Sequence, residues 1–197
     1  MTSIDIHAHY RLPHHPTPQP TPWTPEDRRK KAEQFDAVLR SFPRIVEVSQ
    51  EAGIGRRILS LPAATIFRAD WDTSSYEEKE IRQTNDYLAG GVRDHPEQLG
   101  GLATVDAFAG EESAAEVRRA VEELGLSGIM VDSGKGNRFL GVPETLPTLQ
   151  EAARLGVPVF VHPVQTAINP VLVEHAGAIG NSFGRGLANG VALLGLI

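Results

Sequence analysis

Short apolar runs alternate along this chain with longer stretches of helical spacing. Five runs read as β-strands: Ser3–Ala8 (SIDIHA), Arg57–Leu61 (RILSL), Leu99–Val105 (LGGLATV), Leu126–Val131 (LSGIMV) and Val157–His162 (VPVFVH). Between them the pattern predicts helices over about 25–52, 76–95, 111–124 and 143–155. Gly53, Gly125 and Gly156 stand where a left-handed residue closes a helix. In Glu112–Leu124 the residues Ala115, Val117, Ala120, Val121 and Leu124 form an apolar face, while Glu116, Arg118, Arg119, Glu122 and Glu123 are expected to face water. Such alternation predicts an α/β fold with a parallel sheet.

Two segments break the pattern. Pro13–Pro25 holds six of the 14 prolines and almost no aliphatic residue, so it is expected as a loop directly after the first strand. After Gly184 the chain reads RGLANGVALLGLI, an apolar helical pattern without a capping residue or a polar last turn. Five β-α units are too few for a closed eight-stranded barrel of about 250 residues. The alternative is a doubly wound open sheet, but its glycine-rich loop after the first strand is missing, because that strand runs into His-Ala-His-Tyr.

Composition narrows the chemistry. The 197 residues fit a single domain, 1–197, and 41% apolar with 22% charged residues is a globular balance. A net charge of -6 argues against nucleic acid and anionic lipid as partners. Without cysteine there are no thiolate ligands or cysteine nucleophiles, which leaves His, Asp and Glu for any metal. No apolar run is long enough to span a membrane and no export signal opens the chain, so a cytoplasmic protein is expected.

His7 and His9 lie two apart on the first predicted strand, so both rings point to one side and can converge on one ion. Read alone, the pair is equally a surface histidine beside a loop cap. His162 ends the fifth run, and parallel strands present their C-terminal ends at one face, where the three imidazoles would meet.

Three stretches carry a family resemblance: IDIHAHY; LGGLATV followed by LGLSGIMVDSGKGNRFLG; and VPVFVHP with the later GNSFGRGLANGVALLGLI. With them the chain resembles metal-dependent hydrolases of the amidohydrolase superfamily, in the branch that includes aminocarboxymuconate-semialdehyde decarboxylase and resorcylate decarboxylases. The resemblance implies a TIM-like (β/α)8 barrel, of which this chain covers about the first five to six β-α units. It also implies one divalent metal on His7, His9 and His162; all-nitrogen ligation without thiolate suits several divalent ions, zinc first and manganese as the alternative. The family's acid/base His and its Asp ligand follow later strands, and neither can be placed before Ile197, so a chain truncated relative to the family is expected.

Within the implied site, the strand GIMVDS has no Lys to bridge two ions, and Lys135 lies further along, so one metal is expected. Asp132, at that strand's end, and His175 are the remaining catalytic candidates, against a loop-capping Asp and an exposed His. Asn137 and Arg138 are candidates for substrate binding, against a solvated loop. Asn181–Arg185 is expected in a loop near the site. His14 and His15 are expected to be solvated, and His95 to complement a helix end. Trp23 and Trp71 would either wall an aromatic pocket or pack in the core.

The leading reading is a hydrolase or decarboxylase acting on a small carboxylated cyclic or aromatic substrate. A metallophosphoesterase-type barrel, which also opens with His-x-His, and an inactive truncated barrel serving binding or assembly stand as alternatives. Exposed edges on strands one and five, with the apolar Leu187–Ile197 segment, predict a homo-oligomer or a chain that belongs to a longer protein.

Overall fold

The computed structural model describes residues 3–15, 26–66, 76–166 and 169–196. After β1 (Ser3–His9) come α1 (Glu26–Leu39), α2 (Phe42–Glu51), β2 (Ile54–Ser60), the short α3 (Ala63–Ile66), α4 (Glu78–Asp94) and β3 (Leu99–Thr104). Then follow α5 (Glu111–Glu122), β4 (Gly128–Asp132), a hairpin of β5 (Gly134–Lys135) and β6 (Arg138–Phe139), α6 (Leu146–Leu155), β7 (Val159–His162) and α7 (Asn169–Leu194).

Five strands pair in parallel in the order β1-β2-β3-β4-β7. The order follows the chain without reversal, which is the winding of a barrel; a doubly wound sheet reverses direction. Every residue of β3 and β4 is buried, as expected of central strands covered on both faces. Leu59, Leu99, Ile129 and Val131 from the sheet meet Leu88 and Val117 from the helices in one core. A Cβ on Gly101 would stand 2.8 Å from Leu126 and 3.0 Å from Leu88, so this glycine lets α4 close onto β3.

The helix expected over 25–52 is two helices. Ser41 ends α1's continuation and caps α2, its Oγ accepting the Arg44 N–H at 3.5 Å, with Pro43 in the first turn. Gly53, Gly125 and Gly156 all have positive φ, as the pattern predicted. The segment expected as a loop at Asn181–Arg185 is part of α7, which bends at Gly177 (φ 55).

One helix face differs from expectation. Ala115 is exposed and Glu116 is 2% exposed, because Glu116 takes part in a buried polar network. Its Oε1 accepts from Asn85 Nδ2 at 2.7 Å, and both of its oxygens accept from Arg119 at 2.8 Å. Asn85 in turn holds the backbone of Thr104, donating to its carbonyl and accepting from its N–H. The network ties α4, β3 and α5 together.

β1 and β7 are the sheet edges, and Ile4 and Ile6 on β1 are each 61% exposed. On α7, Ala188 and Ala192 are buried, whereas Ile179, Phe183 and Leu194 are exposed. Just after α7, Gly195 docks against the end of the β5–β6 hairpin. A Cβ on Gly141 would lie 2.1 Å from the Gly195 carbonyl oxygen, and one on Gly195 would lie 2.4 Å from that of Leu140. Among the described residues no helix is long and apolar enough to cross a membrane.

Candidate metal centre

A flat sheet of five strands would hold its edges about 19 Å apart at the usual strand spacing. Yet His7 and His9 on β1 meet His162 on the opposite edge strand, with ring centroids 5.5 and 5.2 Å away. The sheet therefore curls as part of a barrel. The His7 and His9 rings lie 4.9 Å apart, edge to face, and one donor nitrogen from each of the three rings falls within 4.8 Å of the others. A bulge helps to aim them: Asp5 pairs with Arg57 and Ala8 with Leu59, so Ile6 and His7 stand against Ile58 alone.

The surroundings of two of the rings suit ligation. His9 Nδ1 lies 3.0 Å from the Ser60 carbonyl oxygen and donates to it in the tautomer that leaves Nε2 for an ion. Burial lowers the His9 pKa, partly offset by that bond. Burial, then the neighbouring His9 and His7, pushes His162 down to about 3. Both rings are thus neutral near pH 7, as metal ligation requires. His162 Nδ1 is buried without a hydrogen-bond partner. An orphaned imidazole nitrogen beside two others is a set that a divalent ion would satisfy, so the residues fit such an ion. The group contains imidazoles only.

The three histidines line a cleft of about 530 Å³, together with Phe35, Arg57 and Arg185. Arg57 is paired with Asp5 at 3.4 Å. Arg185 reaches the cleft from α7, its Nε donating to the Pro163 carbonyl at 3.3 Å, and its charge helps to depress His9 and His162.

Asp132 ends β4 directly opposite His162. Its Oδ2 accepts the Ala64 N–H at 2.8 Å and the Tyr76 hydroxyl at 3.5 Å, while Oδ1 is buried without a hydrogen-bond partner. Burial raises this carboxyl to about 7, against the Ala64 bond that lowers it. Lys135 is buried rather than in an open loop: Nζ lies 2.5 Å from Asp106 Oδ2 and 4.1 Å from the centre of the Tyr76 ring.

The other candidates lie elsewhere. His175 is exposed on α7, with Nδ1 2.8 Å from the Val171 carbonyl oxygen. Asn137 is exposed at the hairpin turn, and Arg138 sits over the Phe108 ring, 3.5 Å from Glu144. Neither lines the cleft. Asn181 accepts from Asn169, and His95 caps the C-terminus of α4. Trp23 and Trp71 lie outside the described residues. Arg185 belongs to the segment expected near the site; it lines the cleft, but from a helix rather than a loop, and the sequence assigned it no role of its own.

Comparison with known proteins yields a consistent set. The family model described as amidohydrolase matches residues 4–179. A 2-amino-3-carboxymuconate-6-semialdehyde decarboxylase of Dictyostelium discoideum is 37% identical over 79 residues, 40% of this chain and 22% of that protein. A gamma-resorcylate decarboxylase of Polaromonas sp. is 29% identical over 162 residues, 78% of this chain and 49% of the relative. Among solved structures, a 5-carboxyvanillate decarboxylase of Novosphingobium aromaticivorans, with bound manganese and 3-methoxy-4-hydroxy-5-nitrobenzoic acid, superposes with a TM-score of 0.73 at 27% identity. That superposition covers 84% of this chain and 47% of the other. The chain thus spans at most about half the length of these relatives.

Proposed function

The chain belongs to the amidohydrolase family, and on that premise we propose that it carries the metal-binding part of a decarboxylase for small aromatic carboxylic acids. The observation that carries this reading is the convergence of His7, His9 and His162 from the two edges of one curled sheet onto a common point. The names of the relatives, all decarboxylases of carboxylated substrates, support the choice of reaction.

His7, His9 and His162 would hold one divalent ion. Bound there, the ion supplies a Lewis acid for the substrate's carboxylate or the oxygen beside it. Imidazole ligands suit zinc, and the solved relative holds manganese, so both are candidates. Ser60 keeps His9 in the ligating tautomer through its carbonyl. Arg185 is our candidate for the cation that receives the substrate carboxylate, in place of Arg138, because it lines the same cleft as the imidazoles. Phe35 offers an apolar wall for an aromatic ring. Asp132 is a positioning residue, holding the end of β2's following turn against β4 beside His162.

The test is to strip the protein of metal, reload it with manganese or zinc, and titrate it with hydroxylated benzoates by calorimetry. Binding of such an acid that requires the metal and is lost in His7→Gln with His9→Gln supports the reading. Protein that takes metal on these histidines yet binds no such acid overturns the substrate assignment, and a His7/His9 variant that holds as much metal as the wild type overturns the metal centre.

A further inference from the structure

The turn after β1 carries a second set of donor atoms that the strand-end histidines do not use. His14, His15 and Glu80 bring two ring nitrogens and a carboxylate oxygen within 4.8 Å of one another. His15 Nε2 lies 3.3 Å from Glu80 Oε1, across 65 residues of sequence, and the His14 and His15 rings meet edge to face at 4.8 Å. Glu80 stands in the first turn of α4.

The turn is built independently of any ligand. The His15 N–H donates to the Leu12 carbonyl at 3.1 Å, and Arg40 Nη1 donates to the carbonyls of Leu12 and Pro13 at 2.9 and 3.1 Å. Arg40 is itself paired with Asp36, which also takes Arg11 at 2.6 Å. The cation next in the chain is therefore compensated, and the His15 side chain is only 12% exposed. Both histidines are held at one end of α4 with their nitrogens near a carboxylate. A lone His–Glu ion pair would explain His15; it leaves the arrival of the His14 ring at the same point unexplained.

We propose that His14, His15 and Glu80 form a second divalent metal site that staples the turn after β1 to α4. Two imidazoles and one carboxylate suit zinc, nickel or copper rather than magnesium or calcium, which prefer all-oxygen sets. Three protein ligands leave a remaining position for water. Closing a loop of this length with a metal clip restricts the unfolded chain, so the site stabilises the fold and fixes the segment that leads out of His7 and His9. The site does not depend on the catalytic reading above.

Calorimetric zinc titration of the full chain tests it, using the wild type, His14→Gln with His15→Gln, Glu80→Gln, and His7→Gln with His9→Gln. The expected result is that His14/His15 and Glu80 variants each lose one equivalent of zinc relative to wild type, while the His7/His9 variant keeps that equivalent. Should the strand-end histidines take no zinc, the wild type binds a single equivalent that still vanishes in the Glu80 variant, which supports this site and removes the other. Glu80 and His14/His15 variants that bind as much zinc as the wild type overturn the proposal, as does a His7/His9 variant that binds none. His14 is exposed, so His14→Gln alone preserves the fold and must weaken zinc binding at this site; unchanged affinity there also overturns it.

Discussion

His162 on β7 stands opposite Asp132 on β4 in parallel register, and each keeps one buried polar atom, Nδ1 and Oδ1, without a hydrogen-bond partner. Unsatisfied atoms of this kind each cost about 1–3 kcal/mol when nothing compensates them. Their placement side by side concentrates this cost at the end of one strand pair, next to His7 and His9.

Removing one imidazole should therefore remove the ion. His7→Ala is expected to lose the equivalent of metal held by the strand-end histidines after dialysis, read by elemental analysis, and to keep the one at His14, His15 and Glu80; metal content equal to that of the wild type would refute the ligand assignment. The wild type should also melt at a lower temperature after chelation. An ion at 100 times its dissociation constant contributes about 2.7 kcal/mol to the folded state.

Arg185→Gln should raise Kd for an aromatic carboxylate by about 10-fold or more, the scale of a charge-assisted hydrogen bond, with metal content unchanged. Calorimetric titration decides it. Equal Kd values in the two proteins would place the carboxylate elsewhere.

Glu116→Ala leaves Asn85 and Arg119 without their shared partner inside the α4–β3–α5 junction. Breaking a buried pair of this kind costs about 3–5 kcal/mol. Urea unfolding should show that loss, whereas Glu123→Ala, on the exposed side of the same segment, should stay within about 0.5 kcal/mol of wild type.

Acid stability should depend on Glu151. Hydrogen bonds from Arg154, and then from Arg118, hold its carboxyl at about 2 against the opposing effect of burial, compared with an ordinary value of 4.5. Because the folded-state value is depressed, the stabilisation is fully present above about 4.5 and is lost as pH falls through about 2. A plot of melting temperature against pH should be flatter between those limits in Glu151→Gln than in wild type. Parallel curves would show that the arginines do not govern the acid limb.

The strands and the three strand-end histidines were legible because short apolar runs and a histidine at a strand terminus are local signals. What failed was rotation and continuity. Spacing alone placed Ala115 inside and Glu116 outside, but the tertiary partners Asn85 and Arg119 draw the carboxylate inward. The break between α1 and α2 did have a local signal in Ser41 and Pro43, a cap followed by a helix-starting proline. Glu80 gave no such signal, because it meets His15 from 65 residues away in the chain, and for Arg185 only the resemblance pointed to the neighbourhood of the site.

The contact between Gly141 and Gly195 carries a consequence for sequence variation. Neither position has room for a methyl group, and at Gly141 (φ +98) the backbone itself disfavours any other residue. The two sites therefore constrain one another across 54 intervening steps of chain, Gly141 to Gly195, so a change at one should be tolerated only with a shift of the whole last turn of α7. Across diverging descendants of this sequence the pair should be kept or lost together, an inheritance signature that marks the hairpin and the final helix as one unit of selection.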